Sequence, residues 1–245
     1  PARKEGPELM DWVVRTVQGV TELPLSLDTT NIEAMEAGLK AHKGKALINS
    51  ISARPERISA LMPLAKAYNA GFIGLTLGVE GVPRDANERG LLAAQIIAEA
   101  MNYGIPEEDI WLDPIVLPIN TQQIQVQGCT EFAVMLTELA PNSKSTCGLS
   151  NISNGAPNHL RGILNRTYLI ILKRYGMYSA IVDAFDGELR AIAKGKRPDL
   201  ESLVYKIMDN EEVDLSKCSK EEIDYVKSAK VLLGQTLYSD SWLEL

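Results

Sequence analysis

The sequence predicts an α/β protein built as a (β/α)8 barrel, and three observations lead there. Apolar runs that fit strands alternate with helically spaced segments along most of the chain. The runs are nearly continuous in apolar character, as strands covered by helices on both faces must be. Four of them close on a single Asp or Asn, at Asp28, Asn49, Asp113 and Asn151, and a barrel gathers such tips at the carboxyl ends of its strands. A chain of 245 residues suits one such domain. An open doubly wound sheet is the alternative, but no G-x-G-x-x-G follows any of the strands.

Taken in order, Leu9, Val13, Val17 and Val20 share one helical face, which predicts a first helix over 7–20. A strand over 23–28 follows. Thr30 and Glu33 have the T-x-x-E spacing of a capping box and start a helix reaching about Lys40. A strand over 46–51 leads to Pro55, which opens a helix to Tyr68, bent at Pro63. The segment 71–77 is the next strand, and Asp85 with Glu88 caps a long helix to Met101. A strand over 110–116 precedes a helix over 121–139, which Asn120 with Gln123 is expected to cap.

The segment 141–145 reads as a turn. Thr146-Cys147-Gly148-Leu149 then reads as a short buried strand from which Ser150 and Asn151 emerge. A loop over 153–162, a helix over 163–175 and a last strand over 178–183 complete the regular pattern. Six strands preceded by a helix are two short of a barrel, so two βα units are expected before Pro1. Beyond Asp186 the rhythm fails: 194–198 is a solvated turn, and helices are expected at 200–208 and, after Ser219-Lys220-Glu221-Glu222, at 223–233.

Composition narrows the function. The net charge is −7 and no basic stripe offers counter-charges to a phosphate backbone, which argues against nucleic acid. Cys129, Cys147 and Cys218 are far apart, no C-x-x-C pair exists, and the histidines are His42 and His159. That pattern argues against a structural zinc site and for a reducing cytoplasm. No apolar run is long enough to span a bilayer and no signal peptide is evident, so no membrane role is expected.

In a barrel Asp28, Asn49, Asp113, Asn151 and Asp183 converge at the mouth. Carboxylates accept hydrogen bonds from ring N–H and amino groups, and the Asn amide both donates and accepts. The set suits a flat, neutral heterocycle and suits metal hydrolysis or nucleophilic attack poorly. Each residue also has a plain structural use. Asp28, Asp113 and Asp183 fit helix caps, and Asn49 and Asn151 fit turns. Cys147 fits the core, His42 a helix end and His159 a loop. From the residues alone the reading stops at a barrel with a polar, metal-free pocket.

Several stretches go further: Leu27-Asp28-Thr29-Thr30-Asn31, Leu47-Ile48-Asn49-Ser50, Gly81-Val82-Pro83-Arg84-Asp85, Leu112-Asp113-Pro114-Ile115, Gly148-Leu149-Ser150-Asn151-Ile152-Ser153, Leu164-Asn165-Arg166-Thr167-Tyr168 and Leu237-Tyr238-Ser239-Asp240-Ser241. Through them the chain resembles the pterin-binding methyltransferases of the methyltetrahydrofolate:corrinoid/iron–sulfur protein methyltransferase kind. The resemblance implies a dimeric (β/α)8 barrel of one-carbon metabolism and the acetyl-CoA pathway. One domain would cover 1–245, with strands three to eight within 23–183 and a helical insertion and closing helix over 186–245.

It also implies that Asp28, Asn49 and Asp113 hydrogen-bond the pterin and that Gly148 and Ser150 shape its slot. Arg161 and Asp183 would add contacts. Asn151 would be the catalytic residue, approaching N5. The substrates would be 5-methyltetrahydrofolate or tetrahydrofolate and the Co(I) corrinoid of a partner, a corrinoid/iron–sulfur protein, with no metal on this chain. Two departures stand out: 191–220 is an insertion relative to compact relatives, and Asn154 stands where Gln is expected.

The methyltransferase component of an O-demethylase-type system, moving methyl from corrinoid to tetrahydrofolate, shares the pattern. A non-catalytic folate-binding subunit is the alternative from another class. Dihydropteroate synthase shares Asp28-Thr29 and Asp113-Pro114, but Gly148-Leu149-Ser150-Asn151 stands where its Ser-Arg-Lys is expected, leaving no cationic clamp for pyrophosphate.

Overall fold

The computed structural model describes residues 5–244, which fall into two compact units. The first comprises the chain up to Pro83, Glu88–Asp113 and Leu139–Ser145; the second comprises Arg84–Asn87, Pro114–Glu138 and the chain from Thr146 onward.

The first unit opens on α1 (Gly6–Gln18) and then alternates β1 (Ser26–Asp28), α2 (Ile32–Ala41), β2 (Leu47–Ser52), α3 (Pro55–Ala67), β3 (Gly71–Leu75), α4 (Ala86–Asn102, of which it holds the part from Glu88) and β4 (Ile110–Asp113). With β5 (Lys144–Ser145) these strands form one parallel sheet in the order β1-β2-β3-β4-β5. Apolar continuity is explained by burial: Ile48, Ile51, Phe72, Ile110 and Leu112 are fully inaccessible. Gly71 is required by packing, since a Cβ there would lie 2.6 Å from the Trp111 ring and 3.1 Å from the Asp109 carbonyl.

Several local expectations change. The cap of α2 is Asn31, not Thr30: Asn31 is extended (φ −82°, ψ 119°) and its side chain accepts from the Ala34 N–H at 3.1 Å. Asn is the stronger cap, and the Thr30 carbonyl accepts from Arg57 at 2.9 Å. The strand expected over 110–116 ends at Asp113. Pro114 has no N–H to donate, and Ile115 has φ +63°, which no strand accommodates. His42 is the helix end expected of it, the C-cap of α2, where its Nε2 accepts from the Leu25 N–H at 3.2 Å.

The second unit is helical: α5 (Ile119–Leu139), α6 (Asn158–Arg174), α7 (Gly187–Ala193), α8 (Pro198–Met208) and α9 (Lys220–Leu232). Leu164, Tyr168 and Ile171 of α6 are buried together with Leu200 and Val204 of α8 and with Tyr225, Val226 and Ala229 of α9. Trp242 closes this core, donating from Nε1 to Ser228 Oγ at 3.1 Å. Asn120 lies inside α5, which is kinked at Gln122 (φ −139°, ψ 42°). Gln123 does not turn back to Asn120. Its Nε2 donates to the Val231 and Thr236 carbonyls at 2.8 and 2.7 Å, and its Oε1 accepts from the Tyr238 N–H at 3.1 Å.

The segment 141–149 also departs from expectation. The strand falls on Lys144–Ser145, within the expected turn, and Leu149–Ser153 is a 3₁₀ turn. Gly148 and Ile181 make one isolated parallel bridge, with Ile181 N–H donating to the Cys147 carbonyl at 2.8 Å and Leu149 N–H to the Ile181 carbonyl at 3.1 Å. The last expected strand, 178–183, is reduced to that bridge among the described residues.

The helix expected from 163 starts at Asn158, directly after Pro157, so His159 and Arg161 are helical rather than in a loop. Asp186 caps α7 by accepting from the Leu189 N–H at 2.9 Å, a helix not expected from the sequence. Ser219 and Glu222 form the capping box that starts α9, three residues before the expected 223. Among the described residues no helix is long and apolar enough to cross a membrane.

Candidate functional site

Each unit carries its own set of polar groups at the positions the sequence singled out, exposed or half-buried except for Asp113. In the first unit, parallel pairing sets Asp28 of β1 directly opposite Asn49 of β2, and Asp113 of β4 opposite Leu75 of β3. Asp28, Leu75 and Asp113 end their strands, whereas Asn49, expected to close its strand, is the third residue of β2, which runs on to Ser52 and pairs with β3 through Ile51 and Ser52. The ladder shifts register between Asn49 and Ile51, where the Asn49–Ser50 peptide is cis.

Asp28, Thr29, Thr30, Asn49, Ser50 and Leu75 line one cavity of about 260 Å³. Asp28 is not the cap of α2, and Asn49 lies in a strand rather than a turn, so the plain structural uses fail for both. Asp113 is 92% buried, and its carbonyl accepts from the Thr76 N–H at 3.1 Å and Thr76 Oγ1 at 2.9 Å. It caps no helix, since α5 begins only at Ile119.

Two further residues of this cavity were not legible as site residues: Arg54 and Arg57. Arg54 Nε donates to the Gly78 carbonyl at 3.1 Å, and Arg57 donates to the carbonyls of Thr30 and Ser50 at 2.9 and 3.4 Å. Desolvation lowers the Arg57 pKa, with Glu56 pulling weakly the other way. The only sequence signal was two arginines in Arg54-Pro55-Glu56-Arg57, at the junction of a strand tip and a helix start.

In the second unit Gly148, Ser150 and Asn151 sit on and beside the 3₁₀ turn. The turn is closed by Asn151 N–H to the Gly148 carbonyl at 3.2 Å and Asn154 N–H to the Asn151 carbonyl at 3.1 Å. Asn151 is therefore a turn residue in its backbone, as one reading held. Its side chain has a second task. Asn154 Nδ2 donates to Asn151 Oδ1 at 3.3 Å, and Asn154 Oδ1 accepts from Arg161 at 3.4 Å. Arg161 Nε donates to Ser153 Oγ at 3.2 Å, and Ser153 Oγ to the Ser150 carbonyl at 3.1 Å.

This relay occupies the amide oxygen of Asn151 and leaves its Nδ2, 3.1 Å from where a Gly148 Cβ would stand, as the donor without a protein acceptor among the described residues. Asp183 stands apart from the relay. It is exposed, its Oδ1 accepts from the Phe185 N–H at 2.8 Å, and Asp186, not Asp183, caps the next helix. Cys147 is fully buried, as a core residue should be.

The family model for pterin binding enzymes matches residues 2–183, about three quarters of the chain and the whole stretch carrying these positions. The chain belongs to the pterin-binding enzyme family. This pterin-binding enzyme is 26% identical over 178 residues to the methylcorrinoid:tetrahydrofolate methyltransferase of Eubacterium limosum, covering 72% of this chain and 65% of that one. It is 33% identical over 172 residues to methionine synthase of Mycobacterium tuberculosis, covering 66% of this chain and 14% of that one.

Among solved structures, dihydropteroate synthase of Xanthomonas albilineans in complex with 7,8-dihydropteroate gives a TM-score of 0.61 at 18% identity, covering 77% of this chain and 72% of that one. The Yersinia pestis enzyme gives 0.61 at 16%, covering 77% and 78%. At such identity the likeness is one of fold, and with the five-stranded parallel sheet it supports the expected class as a partial (β/α)8 barrel. Helices α7 to α9 lie beyond the family match.

Proposed function

We propose that this enzyme moves a methyl group between N5 of 5-methyltetrahydrofolate and the Co(I) corrinoid of a partner protein. The observation that carries the proposal is the Asn151 amide, whose oxygen is held by Asn154 while its Nδ2–H bonds have no protein acceptor among the described residues. Membership of a pterin-binding family and similarity to a methylcorrinoid:tetrahydrofolate methyltransferase supply the substrate class.

In this mechanism Asp28, Asn49 and Asp113 hold the pterin ring through its N–H and amino groups. The corrinoid supplies the electron pair that takes the methyl. The electrons of the breaking N5–C bond return to N5, a tertiary amine and so a poor leaving group, and a solvent-derived proton completes tetrahydrofolate. A carboxamide at neutral pH is no proton source. A fixed Nδ2–H donor aimed at N5 stabilises the developing lone pair and strengthens as the bond breaks. The reverse transfer uses the same contacts. The Arg161–Asn154 relay would keep the amide from flipping, which would present an acceptor instead.

The test is single turnover with 5-methyltetrahydrofolate and Co(I) cobalamin, followed by loss of the Co(I) absorbance, beside equilibrium binding of 5-methyltetrahydrofolate. Asn151→Ala is expected to slow transfer by about 10²–10³-fold and to change binding far less, because a contact made mainly in the transition state acts on the rate. Equal losses in rate and binding would remove Asn151 from the leaving-group role. Wild-type binding without transfer, even with a corrinoid protein supplied, would select a folate-binding subunit.

A further inference from the structure

Arg54 and Arg57 are set beside the cavity without a carboxylate partner among the described residues. Arg15, Arg166, Arg174 and Arg197 each pair with a carboxylate, whereas among the described residues Arg54 and Arg57 meet backbone carbonyls and no ion pair. Both are half-buried, and both line the cavity that holds Asp28 and Asn49. A guanidinium carries five N–H donors, and neither arginine spends more than two on the protein. A half-buried cation that keeps donors in reserve beside a ligand cavity is arranged for an anion that the protein does not supply.

A reduced folate brings such anions: its ring is neutral, and its p-aminobenzoylglutamate tail ends in carboxylates. We propose that Arg54 and Arg57 form a subsite for the tail carboxylates, so that the cavity selects tail-bearing folates over free pterins. The inference rests on the pterin-binding reading above and extends it to the other end of the ligand. Glu56 lines the same cavity and is exposed, so it opposes the tail. Its removal therefore has the opposite sign from removal of either arginine. Neither arginine would touch the reacting atoms; the effect is on affinity and choice of ligand.

The experiment measures equilibrium binding of 6-methyltetrahydropterin, which has no tail, and of mono- and triglutamyl tetrahydrofolate to the full chain. Wild type is expected to bind the tail-bearing ligands about tenfold or more tightly than the bare ring, with the ratio falling as salt rises. Each of Arg54→Gln and Arg57→Gln should reduce that ratio about three- to tenfold, the lower end of a charge-assisted bond because the groups are partly solvated. Arg54→Lys should keep part of it, and Glu56→Gln should raise it.

Arg57 also ties Thr30 to Ser50, so affinity for the bare ring serves as the reference for an intact cavity in each variant. An unchanged tail-to-ring ratio in Arg54→Gln and Arg57→Gln would overturn the subsite while leaving pterin binding in place. Absence of binding of both the ring and the folates by wild type would overturn the pterin reading and the subsite with it.

Discussion

Replacing Gly148 by alanine perturbs the Asn151 amide without touching Asn151. Gly148 has φ −76° and ψ 88°, so alanine adds no left-handed strain. The new Cβ would stand 3.1 Å from Asn151 Nδ2, where ordinary contacts run from 3.4 Å, and 3.7 Å from its Cγ. The amide must retreat by about a third of an ångström or rotate against the bond from Asn154. A displacement of about 1 Å costs about a hundredfold in rate. Scaled on the logarithm, a third of that costs about fivefold, or roughly 1 kcal/mol in the barrier.

The assay is the same single-turnover reaction with 5-methyltetrahydrofolate and Co(I) cobalamin, with thermal melting as the control for folding. The expected result is a transfer rate about fivefold slower at unchanged Tm, with the Asn151→Ala rate unaffected by adding Gly148→Ala. An unchanged rate in Gly148→Ala, at unchanged Tm, would refute the idea that the position of this amide sets the rate. A fivefold loss that persists on top of Asn151→Ala would place the effect on the slot instead.

Other perturbations separate binding from stability. Asp28→Asn keeps the size of the side chain and removes its charge. It should weaken pterin binding about tenfold, a partly solvated charge-assisted bond, read by titration calorimetry. Ser219→Ala removes one half of the capping box of α9 and should cost about 1 kcal/mol, lowering Tm by about 2–4 °C for a chain of this size.

Asp186 is also open to a pH test. Burial alone would raise its carboxyl pKa, but hydrogen bonds from Arg166 and from the Leu189 N–H outweigh that and hold it below the ordinary value. A depressed folded-state pKa contributes stability above the unfolded value, near 4, and loses it as pH falls through the folded value. Asp186→Asn should therefore be less stable than wild type at neutral pH, with the gap closing below about pH 4 in urea titrations. A gap independent of pH would remove the charge as its cause.

Local chemistry carried most of what could be read early. Strand–helix alternation, the buried apolar runs, the Pro55 helix start and the polar strand ends at Asp28 and Asp113 all follow from periodicity and capping within a few residues of each feature. The misses share a cause. Thr30 and Asn31 both fit a cap, and the helix starts one residue later than the T-x-x-E spacing suggests, with Asn31 capping it and the Thr30 carbonyl bonded by Arg57, 27 residues away. Gln123 had the spacing to serve Asn120, yet it is bound by backbone groups over 100 residues distant, which no local pattern announces.

By itself, the sequence determined the fold class, the strand tips and the residue types available for a neutral, hydrogen-bonded ring, because those depend on short-range periodicity. Only the tertiary structure decided which tips share a cavity. Parallel register aligns Asp28 with Asn49, and α3 brings Arg54 and Arg57 to them. It also decided that Asn151 rides on a 3₁₀ turn rather than ending a strand. A strand needs a partner along its length, and the segment from Thr146 finds one only at the single bridge between Gly148 and Ile181.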